Sequence, residues 1–206
     1  MGKGNVLFQV HLRVLCDASP VFNAAFHGGF LEASNRSMDL PEDDPEAFER
    51  IVQWLYCKVY DKPHFAGEPC DDDQIGYMDL AKLYVAADKF GIIGLKNDVM
   101  DRWCEAHSTT AEAPFTEVLD YVYENTTSKS KLREVIVAIY VWEIDYEWYQ
   151  DAQQTLRKRP EFATDVAIAM AQKMMDSKQS PFILDSSRFH EAVADRVEAS
   201  ETPLKA

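Results

Sequence analysis

Apolar and polar positions recur in two rhythms along the 206-residue chain. Near its start, Val6 to His11 is a short apolar stretch of strand length, followed by Leu12-Arg13-Val14-Leu15-Cys16. Arg36-Ser37-Met38-Asp39-Leu40 alternates residue by residue, and this period of two predicts a second strand. Elsewhere the spacing is helical. Ser19 caps a short helix with Pro20 in its first turn, where a missing N–H costs nothing. Phe22, Ala25 and Phe26 share one face of it. His27-Gly28-Gly29 stops it, the paired glycines being expected to supply the positive φ of a helix exit.

After the turn Pro41-Glu42-Asp43-Asp44-Pro45, Asp44 caps, Pro45 takes the first helical position and Glu46 meets the positive end of the dipole. Phe48, Ile51, Val52, Leu55 and Tyr56 then recur at helical spacing beside Trp54. Residues 58–74 read as an exposed loop that ends in a cap formed by Asp71-Asp72-Asp73. The clearest stripe is Leu80, Leu83, Tyr84, Ala87 and Phe90, with Asp79, Lys82 and Lys89 off it. Gly91 ends that helix, and Leu95, Val99 and Trp103 mark one that packs back as a hairpin.

Ser108 to Pro114 changes composition and reads as a boundary. Beyond it the pattern is helical throughout: Phe115, Val118, Leu119, Val122 and Tyr123, a break at Thr126-Thr127-Ser128, then Leu132, Val135, Ile136, Ile139, Tyr140 and Trp142 in a helix extending toward Tyr149. Phe162, Val166, Ala169, Met170 and Met174 follow Pro160. Residues 177–206 are polar, with Phe182-Ile183-Leu184 and Phe189 as apolar anchors, and are expected to form a flexible tail. No internal repeat is visible.

Charge and chemistry narrow the function. Thirty-five acidic against 21 basic residues leave a formal charge of -14, which repels phosphate backbones. The runs Lys129, Lys131, Arg133 and Arg157, Lys158, Arg159 are too short for a nucleic-acid footprint and read as solvated helix faces or helix ends. The start has no signal-peptide pattern and no apolar run nears the ~20 residues of a membrane span, so a chain of the cytoplasm or nucleus is expected. Cys16, Cys57, Cys70 and Cys104 form no Cys-x-x-Cys pair and read as free thiols. The histidines are scattered, phosphate and dinucleotide loops are absent, and Cys104 with His107 reads as a core thiol near a helix-end histidine rather than a dyad. The aspartate triplet lacks the spaced ligands of a calcium loop. No catalytic, cofactor or metal residue is assigned, and a non-enzyme is expected.

Specific residues now stand on the order strand, short helix, helix, strand, helix, loop, helical hairpin. Phe8-Gln9-Val10-His11, Leu15 and Ser19-Pro20-Val21-Phe22 resemble the opening of the BTB/POZ domain. Phe30-Leu31-Glu32-Ala33 resembles the Phe-x-Glu stretch that follows there. Leu40 to Phe48 with Trp54-Leu55-Tyr56 is similar to the third-helix region, in a wording common among fungal members, and Leu80 to Phe90 and Leu95 resemble the fourth and fifth helices. The resemblance covers residues 5–107. It implies an α+β fold, a small sheet with a cluster of helices, followed by an all-helical extension over 108–176. One departure is that only Met1 to Leu7 precede Phe8, where the family has a strand and hairpin. The first strand is therefore expected to be missing or the start truncated, which weakens the family's usual homodimer.

The resemblance also implies function through surface pairing with protein partners. Many members are substrate adaptors that dock on a cullin scaffold of a ubiquitin ligase through an apolar-x-Glu stretch, and Phe30 and Glu32 fall at that position. The alternatives are a self-associating scaffold or a transcription-linked corepressor module.

Overall fold

The computed structural model describes residues 6–59, 76–110, 116–176 and 186–192. The chain enters as an extended segment whose Phe8 lies 5.1 Å, ring to ring, from Phe48. It then forms α1 (Leu12–Ala18), the short helix expected between the entering segment and the helix that Ser19 caps. Ser19 ends α1 and caps α2 (Pro20–His27), accepting from the Phe22 N–H at 3.2 Å as expected. A short α3 (Leu31–Asn35) follows and stops at Arg36, whose φ of 51° is left-handed.

The described residues contain no strand. Val6–His11 and Arg36–Leu40, both expected to be strands, are extended or irregular without a ladder. Alternation prepares a segment for a sheet, but strand character needs a paired neighbour. The small sheet of the expected α+β class is therefore not formed in these residues, which are helical. A second correction concerns Gly28. Its φ is -80°, so positive φ is not what this exit requires. A Cβ there would lie 2.5 Å from the Ala24 carbonyl oxygen and 2.9 Å from the Phe30 ring, so the position demands a residue without a side chain.

Three helices carry the centre of the first half: α4 (Pro45–Val59), α5 (Tyr77–Lys89) and α6 (Ile93–Thr110). Asp44 caps α4 by accepting from the Glu46 N–H at 3.1 Å, and its carboxylate also meets Lys82 of α5 at 3.1 Å. The predicted stripes are the core: Phe48, Ile51 and Leu55 face Leu80, Leu83, Tyr84 and Phe90, and all are buried. Phe22 stacks on Phe90 at 4.7 Å. Gly91 closes the α5–α6 hairpin with a φ of +68°, a value at which a side chain costs energy. Helix α6 runs through Ser108 and Thr109, so the start of the expected boundary is helical. Residues 58 and 59 likewise belong to α4. The rest of that loop, with the aspartate triplet and Cys70, lies outside the described residues, as do residues 111–115.

The second half continues the same hydrophobic core through α7 (Thr116–Asn125), α8 (Lys131–Trp142), α9 (Tyr146–Asp151), α10 (Gln153–Lys158) and α11 (Pro160–Asp176). Helix α8 does not extend to Tyr149. It ends at Glu143, and Asp145 starts α9 by accepting from the Trp148 N–H at 2.8 Å. Arg133 bonds Glu161 at 2.5 Å and Lys173 donates to the Val141 carbonyl at 2.9 Å, so α8 and α11 lie side by side with like ends together. The expectation of a solvated basic face fails at Arg133, which is buried. It holds at Arg157 and Lys158, which sit in the last turn of α10, facing the negative dipole end.

Within the stretch expected to be flexible, residues 186–192 are docked. Ser186–Phe189 forms a 3₁₀ turn that rests on α6 and α8, and Phe189, one of the apolar anchors named from sequence, is 1% exposed. Residues 177–185 and 193–206 lie outside the described residues.

Candidate partner-binding surface

Both site residues expected from sequence lie at the start of α3. Phe30 occupies the N-cap position in extended conformation and Glu32 the first turn. The chain reaches this point over Gly28, whose missing side chain lets the Phe30 ring approach the backbone. Helix α3 is too short to bury both its faces, and the result is an apolar protrusion: Phe30 is 62% and Leu31 77% exposed. Glu32 is half-buried beside them. An exposed phenylalanine beside a carboxylate has the composition of a docking anchor, a ring that fills a partner's pocket and a charge that sets register.

Sequence reasoning missed the neighbours of this pair. Leu31 is the more exposed of the two apolar side chains. Val6, Leu7, Leu12 and Val21, on the entering segment and on α1 and α2, are exposed as well. The signal available for Leu31 was that it fits no buried stripe. A groove of about 530 Å³ also opens between α1 and α4, floored by Val14, Ala18, Trp54 and Leu55 with Arg13 and Lys58 at its rim. Trp54 holds that wall in place by donating to Asp98 of α6 at 2.8 Å.

The residues weighed for chemistry are engaged structurally. Burial, with the Asp101 charge adding to it, pushes the Cys104 thiol up to about 11, away from a reactive thiolate. His107 is buried on the same helix. Cys16, Cys57 and Cys104 are free thiols. In the helical half, a groove of about 420 Å³ lies between α8 and α11. Of its polar lining, Glu134 meets Lys131 at 2.6 Å, and Arg133 and Lys173 hold the contacts already described. No group of three or more potential metal ligands occurs among the described residues, and no described helix is long and apolar enough to cross a membrane.

The domain that carries these exposed apolar side chains is of a class of protein–protein interaction modules. The family model for the BTB/POZ domain matches residues 2–107, just over half of the chain, and the chain belongs to that family. It is 23% identical over 184 residues to mouse (Mus musculus) "TD and POZ domain-containing protein 3", an alignment covering 88% of this chain and 46% of the relative. It is 24% identical over 137 residues to mouse "TD and POZ domain-containing protein 1-like", covering 66% of this chain and 34% of the relative. The chain thus spans less than half the length of the curated relatives it matches. Neither relative bears on the fungal likeness of the third-helix wording. No solved structure gives a significant match. Residues 2–107 contain Phe30, Glu32 and all of the α1–α4 groove.

Proposed function

We propose that this chain is a substrate adaptor that docks on a cullin scaffold of a ubiquitin ligase, with Phe30 as the apolar anchor and Glu32 as the register-setting charge. The observation that carries the reading is the exposure of Phe30: at 62% it is not consumed by packing within its own fold. The competing explanation, a ring buried against its own domain, would leave nothing for a partner's pocket. The helical extension over 108–176 is the candidate for recruiting a substrate. A pull-down with a cullin N-terminal domain tests the proposal. The wild-type chain is expected to be retained, and Phe30→Ala and Glu32→Arg to weaken retention with helicity unchanged. Absence of binding by the wild-type chain would overturn it.

A second reading, a self-associating scaffold or a transcription-linked corepressor module, is favoured by the exposed apolar side chains Val6, Leu7, Leu12 and Val21 on the entering segment, α1 and α2. It predicts a dimer or larger species in light scattering, and a monomer at high concentration would count against it.

A further inference from the structure

Residues 186–191 sit on α6 of the family domain, with Phe189 also against α8 beyond it, as a bound peptide would. Asn97 of α6 reads one backbone unit from both sides: its Nδ2 donates to the Glu191 carbonyl at 3.0 Å, and its Oδ1 accepts from the Glu191 N–H at 2.8 Å. Such pairing recognises the main chain whatever its side chain. Side-chain contacts then select sequence. Asp101 of α6 accepts from the Ser186 hydroxyl at 2.6 Å and lies 2.7 Å from His190 Nε2. The Phe189 ring fills a buried pocket against α6 and α8. The Glu191 carboxylate bonds Lys96 and accepts from the Tyr84 hydroxyl at 3.2 Å.

The Lys96 contact gives the Glu191 carboxylate a buried counter-charge. The lysine side chain is 5% exposed, lies over the Tyr84 ring at 5.0 Å and is paired to Asp88 at 2.5 Å. A cation buried this deeply requires compensation, and Glu191 supplies the second carboxylate. Lys96, Asn97, Asp101 and Tyr84 all belong to the matched domain, whereas the segment filling the site comes from beyond it.

We propose that the face of α5 and α6 around Lys96, Asn97 and Asp101 is a peptide-docking site, filled here by the chain's own residues 186–191. A partner protein would fill it with a segment of the same chemistry: a hydroxyl residue, an aromatic ring three positions on, and a carboxylate two positions after the ring. The contacts of its present occupant specify that partner: Ser186 on Asp101, Phe189 in its pocket and Glu191 on Lys96 and Asn97. A tethered occupant benefits from its high local concentration, so a partner segment must compete with it.

The test uses the full chain carrying Phe189→Ala, titrated with the peptide Ser-Ser-Arg-Phe-His-Glu-Ala and followed by NMR of the Asn97 side-chain amide and the α6 backbone. Saturable shifts are expected, roughly tenfold or more tighter than in the wild-type chain, whose site is occupied. A peptide with alanine in place of phenylalanine is expected to bind at least about tenfold more weakly. Adding Asn97→Ala to the chain is expected to abolish the response. If Phe189→Ala does not fold, Glu191→Lys keeps the ring in its pocket, weakens the occupant through Lys96, and takes the same titration. A folded variant with no shift at Asn97 overturns the proposal. Equal responses from variant and wild-type chains would do so too, because binding would then be elsewhere.

Discussion

The Ser19 hydroxyl donates to the Phe90 carbonyl at 2.6 Å, joining residues 71 positions apart in a buried site. The same oxygen accepts from the Phe22 N–H, so one side chain caps α2 and ties it to the end of α5. Replacing it strands a buried carbonyl and removes a cap, losses of about 1–3 and about 1 kcal/mol respectively. Ser19→Ala is therefore expected to lower the urea midpoint by the equivalent of about 2–4 kcal/mol. A loss within experimental error would mean that the Phe90 carbonyl finds another donor.

Gly91→Ala is expected to destabilise the fold for two independent reasons. At a φ of +68° an alanine pays a backbone cost of about 1–2 kcal/mol. Its Cβ would also lie 2.9 Å from Pro20 Cγ, pushing on the α2 terminus that Ser19 holds. Thermal unfolding should show a lower midpoint. Gly29→Ala, with nothing within 4 Å of its Cβ, serves as the comparison and should change little.

These two positions show what was legible beforehand. Ser19 as cap, Gly91 as stop, and the stripes of α4, α5 and α8 were readable because capping chemistry and a period of three to four are local properties. Helix α1 was expected only as a short helix in the order of elements, without bounds or a cap: His11 makes no side-chain cap bond, and Val14 is β-branched. Alternation at Arg36–Leu40 misled because it reports what a segment could do beside a neighbour, not whether one is there. At the candidate surface, the residue types of Phe30 and Glu32 were visible but their exposure was not, since it depends on what packs against α3 from elsewhere in the chain. The bond between Lys96 and Glu191, 95 residues apart, leaves no trace in spacing.

Alkaline pH should weaken the helical half through its buried and half-buried tyrosines. Burial pushes the Tyr140 hydroxyl up to about 12 against the opposing charge of Arg159, and burial with the neighbouring Tyr140 pushes Tyr149 up to about 12. Tyr123 moves in the same direction, again chiefly through burial. A folded pKa above the unfolded value of about 10 means that only the unfolded chain ionises first. The contribution of these groups is then whole below about pH 10 and is lost as pH rises through about 12. Phenolate absorbance should show a late-titrating class that appears together with loss of helix. Tyr140→Phe should shallow the fall of stability with pH over that window, whatever its offset at neutral pH. An unchanged slope would show that Tyr140 titrates freely in the folded chain.

Arg133 should be the costliest single cation to replace. Its guanidinium donates from Nε to Thr126 Oγ1 at 3.0 Å, from Nη2 to the Tyr123 and Thr126 carbonyls at 2.8 and 2.5 Å, and from Nη1 to Glu161. It lies 4.2 Å from the centre of the Tyr123 ring. The two carbonyls are the orphan acceptors at the C-terminal end of α7, and Glu161 is in the first turn of α11, so one side chain closes one helix and binds the start of another. Glu161 is 60% exposed and returns to water when its partner is lost, which makes the stranded carbonyls the main cost. Arg133→Met is expected to lose about 2–4 kcal/mol on that account. Arg133→Lys keeps the charge near Glu161 but lacks the planar fork, and should recover less than half of the loss. Equal stability of the lysine variant and the wild type in urea titrations would show that charge alone, not the fork reaching the end of α7, holds these helices together.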